Sequence, residues 1–361
     1  MFSLRLTELP MPTGSRDPDV LLDWLMESMG LVRRRKDQVG SDSHSSALHG
    51  LMMNTFLTDP LRGWDSKEIG YETGLSSTGI HHHTVKLRES GLISTKVDGK
   101  WHRYVLRGGS IIDAIRLMSV EAKTILGIRL EELESVILDS DARMETPSEE
   151  EVPLSIRISE PGPRDDSLDP IDQLVDDLGL SGDNPKPGDR LSSKILSSLG
   201  SSKLPITVMA LSERLSESRG RIQTVIQRMR CAGLVDRVPM IQRIPQDIFS
   251  SIMRQLDARG EKWLLSRGGL GRLEDDVNTA LLDGAKKGTL DIDTVRRIIS
   301  TVPVEDQKIL VNTLGGRMPL GVRVAGSDFK QVSQRVTRQA DRSLRRMITV
   351  AERLQESTRK N

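Results

Sequence analysis

Thr73-Gly74-Leu75-Ser76-Ser77-Thr78-Gly79-Ile80-His81-His82-His83-Thr84-Val85-Lys86-Leu87-Arg88-Glu89-Ser90-Gly91-Leu92-Ile93, followed by Ser94-Thr95-Lys96-Val97-Asp98-Gly99-Lys100-Trp101-His102-Arg103-Tyr104-Val105, carries the strongest structural signal in the chain. Ile80 and Leu87, with the small Thr84 between them, recur at helical spacing and so share one face. Gly91 is the kind of residue that ends such a helix in the left-handed conformation. Beyond it, two short segments of alternating polarity flank Asp98-Gly99, a pair suited to a tight hairpin turn. Upstream, Leu48, Leu51, Met52 and Phe56 mark one apolar helix, and Ser66 to Glu72 a shorter one. Three helices followed by a hairpin predict a helix-turn-helix with a β wing over residues 45–107.

The pattern returns downstream. A gapless shift of 142 positions places Ile69 on Leu211, Ile80 on Ile222, Thr84 on Ile226, Leu87 on Met229, and Gly91-Leu92-Ile93 on Gly233-Leu234-Val235. Ile195, Leu196 and Leu199 supply the first helix of this copy and Val208 to Leu215 the second, so another module is expected over 189–245. Its wing is expected to be short or absent. Val238-Pro239-Met240-Ile241 stands where a turn should be, and proline cannot donate to a central ladder.

The segment Leu75 to Ile93 resembles the recognition-helix region of ArsR-like and MarR-like winged-helix transcriptional regulators, especially archaeal ones, and Ala210-Leu211-Ser212-Glu213-Arg214-Leu215 through Leu234-Val235 is similar to the same families. About a third of the chain is covered. The resemblance implies a dimeric or tandem DNA-binding regulator, with the third helix of each module in the major groove and the wing against the backbone or minor groove.

With Ile80, Thr84 and Leu87 turned inward, helical geometry directs Thr78, His81, His82, Val85 and Lys86 outward. The same arithmetic exposes Gln223, Thr224, Gln227 and Arg228 in the second copy, with Arg219 and Arg221 near the helix start. Glutamine pairs bidentately with adenine and arginine with guanine, whereas threonine and lysine more often reach phosphate. On the first wing, Lys96, Lys100 and Arg103 flank the turn and suit backbone phosphates. These residues are the candidate DNA contacts, each weighed against an ordinary solvated side chain.

Length, composition and charge bound the rest. With 361 residues, 36% apolar and 29% charged, the chain has room for two or three domains. Aromatics are only 3%, too few for a stacking platform on single strands, so duplex or protein binding fits better. Cys231 is the only cysteine, which rules out an intramolecular disulfide and a cysteine-based zinc site. His81, His82 and His83 are adjacent, so their rings point about 100° apart and do not converge on one metal. No metal or cofactor is expected. His83 lies toward the core flank. The segment Asp283 to Thr294 lacks the acids of a calcium loop at its third, fifth and twelfth places, and Gly268-Gly269-Leu270-Gly271 lacks the Lys-Ser/Thr pair of a phosphate loop. No nucleophile with a matching base stands out, so no enzyme activity is expected. The N-terminus lacks the apolar run of a signal peptide, and no apolar run of about eighteen residues suggests a membrane span. A cytoplasmic protein that does not enter membranes is expected.

Between Asp139 and Arg190 there are fifteen acids and five bases, with many Ser, Pro and Gly. That composition predicts a flexible acidic linker over 139–188 between basic domains. After the first wing, Ile111, Ile115, Met118, Ala122, Ile125, Leu126, Leu130, Leu133 and Ile137 form an apolar stripe over 108–138. A second stripe runs through Phe329, Val332, Val336, Ala340, Leu344, Met347, Ala351 and Leu354 within a basic helix over 327–361, beyond a helical region over 246–326. Each stripe must be buried, in a homodimer through 108–138 or 327–361 or within its own chain. Asp17-Pro18 opens a helix in the N-terminal segment 1–44, with Arg33-Arg34-Arg35-Lys36 as a basic arm or as its solvated end.

The expected fold is therefore mainly α, with tandem winged helix-turn-helix modules, small β wings and long amphipathic helices. The expected function is sequence-specific binding of double-stranded DNA in transcription regulation. The alternative is a tandem winged-helix protein–protein scaffold or a chromosome-associated structural subunit.

Overall fold

A computed structural model describes residues 1–32, 47–99, 101–146, 148, 151–163, 169–183, 186 and 188–359. The fold is mainly helical, with three small sheets among the described residues. The first half of the chain runs β1 (Ser3–Thr7), α1 (Pro18–Ser28), α2 (Ala47–Leu51, continued by a π turn to Phe56), α3 (Ser66–Thr73), α4 (Ser77–Glu89), β2 (Ile93–Asp98), β3 (Trp101–Leu106) and α5 (Ile111–Glu131). The second half runs β4 (Ser155–Ser159), α6 (Pro170–Asp177), α7 (Leu191–Gly200), β5 (Ile206–Thr207), α8 (Val208–Leu215), α9 (Arg219–Cys231) and β6 (Val235–Pro239). Five helices follow, α10 (Ile244–Arg259), α11 (Glu261–Ser266), α12 (Asp275–Lys287), α13 (Ile292–Ile298) and α14 (Val304–Thr313), before β7 (Leu320–Val324) and α15 (Phe329–Thr358).

The 142-residue shift carries α3 onto α8 and α4 onto α9 without changing either length. The caps repeat as well. Ser76 and Ser218 each accept a backbone N–H from their own helix, Gly74 and Ser216 both turn left-handed after the shorter helix, and Gly91 and Gly233 hold φ near +76° and +77°. Apolar Ile80, Leu87, Ile222, Ile226 and Met229 are buried, as helical spacing requires.

The segment after α9 is a correction to the sequence reading. It forms a paired strand, but the partner strand comes from far along the chain. β6 pairs antiparallel with β7, Val235 opposite Val324 and Pro239 opposite Leu320. Pro239 is tolerated because it ends the strand, where its missing N–H is least needed. In the first half β2 pairs with β3, Ile93 opposite Leu106, and Trp64 bridges Tyr104. In the second, β5 joins the far side of β7, with Ile206 opposite Val322. Both small sheets thus have the same order, and for the return strand the shift lengthens from 142 to 218. The difference of 76 residues is α10–α14, a bundle set into the wing tip with its own core around Ile248, Ile252, Leu281, Val295 and Leu310.

The acidic stretch is a second correction. Although 139–188 was expected to be a flexible linker, its described residues contain β4 and α6, both packed. β4 pairs antiparallel with β1, and Ile156, Ile158, Leu174 and Val175 are buried. Arg143, 1% exposed, donates to the carbonyls of Leu138, Gly200, Ser202, Gly326 and Ser327. Buried backbone acceptors need partners, and this one guanidinium supplies several.

These elements also repeat. Ser3-Leu4-Arg5-Leu6-Thr7 and Ser155-Ile156-Arg157-Ile158-Ser159 are related by a shift of 152, as are Asp17-Pro18 and Asp169-Pro170, each pair opening a helix with aspartate as its cap. Gly30 and Gly179 follow those helices at positive φ, and a Cβ on either would lie 2.7 Å from Arg5 Cβ or 2.9 Å from Arg157 Cβ. The two halves follow one plan, a strand, an Asp-Pro helix, three helices, an antiparallel strand pair and a long helix.

Two contacts between the copies are locally twofold. Arg5 and Arg157, equivalent residues, sit opposite each other in the β1–β4 ladder. α5 and α15, related by the 218 shift from their N-caps Ser110 and Asp328 onward, pack antiparallel. Arg116 meets Glu352 at 3.2 Å, the Ser333 hydroxyl reaches the Leu130 carbonyl at 3.5 Å, and the equivalent residues Lys123 and Asp341 form an ion pair between them. Of the two alternatives for the stripes, burial within the chain is the one seen: Ala114, Met118, Ala122 and Leu126 of α5 and Val332, Val336, Ala340 and Leu344 of α15 belong to one continuous core spanning both halves. This corrects the homodimer alternative through 108–138 or 327–361, because those faces are already covered within the chain. Among the described residues no helix is long and apolar enough to cross a membrane.

Candidate nucleic-acid interface

α3 is started by a capping box. Asp65 accepts from the backbone of Lys67 and Glu68, and Glu68 reaches back to the Asp65 N–H at 3.1 Å. Its Gly74 turn delivers the chain to the Ser76 cap of α4, and Thr84 stays inside by donating to the Ile80 carbonyl at 2.8 Å. Inward Ile80, Thr84 and Leu87 leave Thr78, His81 and His82 exposed, with Val85 and Lys86 at the margin, half-buried. His83 is half-buried beside His82, with ring centroids 5.4 Å apart. Burial, helped by His82 and Lys86, holds its pKa below the usual histidine value.

In the second half Arg219, Arg221, Gln223, Thr224 and Gln227 are exposed along α9. Several are engaged. Arg221 donates to Glu217 at 2.6 Å and to Asp189 at 2.8 Å. Gln227 accepts from Arg230 at 3.2 Å, its amide facing the Cys231 sulfur at 3.5 Å, and the Thr224 hydroxyl donates to the Gly220 carbonyl. Arg228 does not extend outward as helical geometry predicted. Its guanidinium lies over Gly182, near the Leu180 carbonyl at 3.5 Å, because the segment after α6 covers that flank of α9. It is a half-buried packing residue here, which corrects the sequence reading.

On the first wing Lys96 and His102 are exposed, and Lys96 stands opposite Arg103 in the ladder. Arg103 folds back, donating to Asp98 at 3.2 Å and to the Gly63 carbonyl at 3.1 Å, so it braces the wing to the loop before α3. Lys100 and the Arg33-Arg34-Arg35-Lys36 arm lie outside the described residues.

Of the candidates, Thr78, His81, His82, Lys96, Arg219, Arg221, Gln223, Thr224 and Gln227 share open polar faces on α4, α9 and the first wing. Lys86, Arg103 and Arg228 are partly withdrawn. The sequence reading missed the arginine row Arg338, Arg342, Arg345 and Arg346 as a local charge network. Arg342 and Arg346 clamp Glu8 at 3.2 Å and 2.8 Å, and Arg345 holds Asp341 at 2.6 Å. Their helical spacing was visible, but Glu8, the partner of Arg342 and Arg346, lies 334 and 338 residues away. Among the described residues no cluster of His, Cys, Asp or Glu is arranged to hold a metal ion.

Comparisons with protein-family models, with curated proteins and with solved structures find no match to this chain.

Proposed function

We propose that each half carries a winged helix-turn-helix module, and that the chain is a non-catalytic, sequence-specific duplex-DNA-binding regulator in the manner its resemblance to ArsR-like and MarR-like proteins implies. The observation that carries this reading is the pair of equivalent helices, α4 and α9, each turning an uncovered polar face outward. Residues of these types suit base edges in the major groove, while Lys96 and Arg219 suit phosphate.

The test is binding of a fluorescent genomic duplex pool at several salt concentrations. Affinity is expected to fall steeply with salt, and Lys96→Ala with Arg219→Ala should weaken binding and flatten the slope by about one unit per lost phosphate contact. Salt-insensitive or undetectable binding would remove the proposal.

A second reading, a protein-binding scaffold, is favoured by one observation. Leu117, Val120 and Ile128 are exposed along the outer face of α5, where a row of apolar side chains suits a protein partner better than phosphate.

A further inference from the structure

We infer that one chain, without a second copy, reads a DNA duplex whose two half-sites are inverted relative to each other and differ in sequence. This inference rests on the DNA-binding reading above and specifies its ligand.

The local twofold carries the argument. It passes between Arg5 and Arg157 in the β ladder and between Lys123 and Asp341 in the helix pair, so it relates β1 to β4 and α5 to α15. A rotation leaves the component of any direction along its axis unchanged. Extended to α4 and α9, which hold the same place in the two halves, the rotation turns their outward faces equally toward the same end of that axis. Duplex DNA has local twofolds perpendicular to its own axis, and a protein dyad placed on one of them meets two inverted half-sites.

A second copy is not required to build this arrangement. The edge of β1 is taken by β4 and the apolar face of α5 by α15. The ion pair at the axis reinforces the choice. Two first halves brought together would oppose Lys123 with Lys123, and two second halves would oppose Asp341 with Asp341. Only a first half against a second half places opposite charges there, and the chain makes that pairing with itself.

The half-sites must differ because the reading side chains do. At equivalent positions α4 carries Ser77, Thr78, His81, His82 and Val85, and α9 carries Arg219, Gly220, Gln223, Thr224 and Gln227. The two glutamines favour adenine, whereas α4 has no glutamine to do so. The flanks differ too, since the first wing ends in the Asp98-Gly99 turn and the second holds the α10–α14 bundle.

The experiment uses the full chain and a duplex pool with a randomised core about three helical turns long. Retained duplexes are sequenced, and the number of chains per duplex is read by native mass spectrometry. The expected result is one chain on an inverted repeat with unequal halves. His81→Ala should relax preference at one half-site and Gln223→Ala at the other, each by about tenfold for the preferred base. Two chains per duplex, a single half-site, or identical halves affected alike by either substitution would overturn the inference and leave DNA binding standing. Retention of no sequence above the starting pool would overturn the DNA-binding reading, and this inference with it.

Discussion

Lys123 and Asp341 stand at the same position of the two halves and form an ion pair with each other. In a symmetric dimer of identical chains this contact would join a residue to itself. Here the two copies have diverged into a complementary pair.

Reversing one charge therefore places like charges at the axis. Lys123→Asp or Asp341→Lys should each cost about 1 kcal/mol, since both side chains keep partial contact with water, and the double exchange should recover most of the loss. Urea denaturation of the four proteins measures this coupling. Additive losses would show that the pair is not a unit. The pair also has a pH signature. Lys123, with Arg345 behind it, holds the Asp341 pKa below the usual carboxylate range. Its stabilisation is complete above about pH 4 and disappears as pH falls through the lowered value. Asp341→Asn should lose that acid-limb contribution.

Gly30 and Gly179 make a matched pair of backbone predictions. Both have positive φ and both would push a Cβ against the Cβ of an arginine at the centre of the β1–β4 ladder. A Cβ cannot swing away as a side-chain end can. Gly30→Ala and Gly179→Ala should each destabilise the fold by about 2–4 kcal/mol. Gly14→Ala, also at positive φ but with nothing within 4 Å, should cost less. Thermal melts of the three variants make the comparison.

Arg143 tests whether the former linker is structural. Removing its guanidinium strands several buried carbonyls at once, so Arg143→Met should cost about 3 kcal/mol or more. Arg143→Lys should recover little, because an ammonium cannot match the planar fork. Chemical denaturation gives the measurement, and wild-type stability in either variant would return 139–188 to the status of a tether.

His83 is the group whose titration should weaken the fold in mild acid. Its folded-state pKa is lowered, first by burial, so the unfolded chain binds the proton more readily. The contribution is intact above about pH 6.5 and declines as pH falls toward the folded value. His83→Gln should show a smaller drop in melting temperature between pH 7.5 and 5.5 than the native chain. An identical drop in both proteins would place the acid sensitivity elsewhere.

The parts of this fold readable from sequence are those whose spacing survived duplication. Leu211, Ile222, Met229 and Gly233 stand where Ile69, Ile80, Leu87 and Gly91 predict, because two packed helices joined by a short turn tolerate no change of length between their apolar positions. The relation between α5 and α15 escaped notice because the α10–α14 bundle breaks the register between them. β4 was missed for a different reason. Ser-Ile-Arg-Ile-Ser repeats Ser-Leu-Arg-Leu-Thr, yet its five residues lie in a stretch so acidic and rich in Pro and Gly that average composition outweighed a short alternating signal. For the candidate interface, helical geometry separated buried Ile80, Thr84 and Leu87 from exposed Thr78, His81 and His82 on α4, while Val85 and Lys86, also directed outward, are half-buried. It did not foresee Arg228 against Gly182 or Arg103 against Gly63, since those contacts come from other elements.

The bundle set between β6 and β7 also governs the order in which the second half can assemble. Closing an unstructured loop of that length costs conformational entropy before any ladder bond is gained. Pro239 and Leu320 face each other across one rung, so a bundle that has already collapsed on its own core delivers the two strands as neighbours. Pulse-labelled hydrogen exchange should then find amides of α10 and α14 protected ahead of those in β7, with α15 closing over α5 only once that clip has formed.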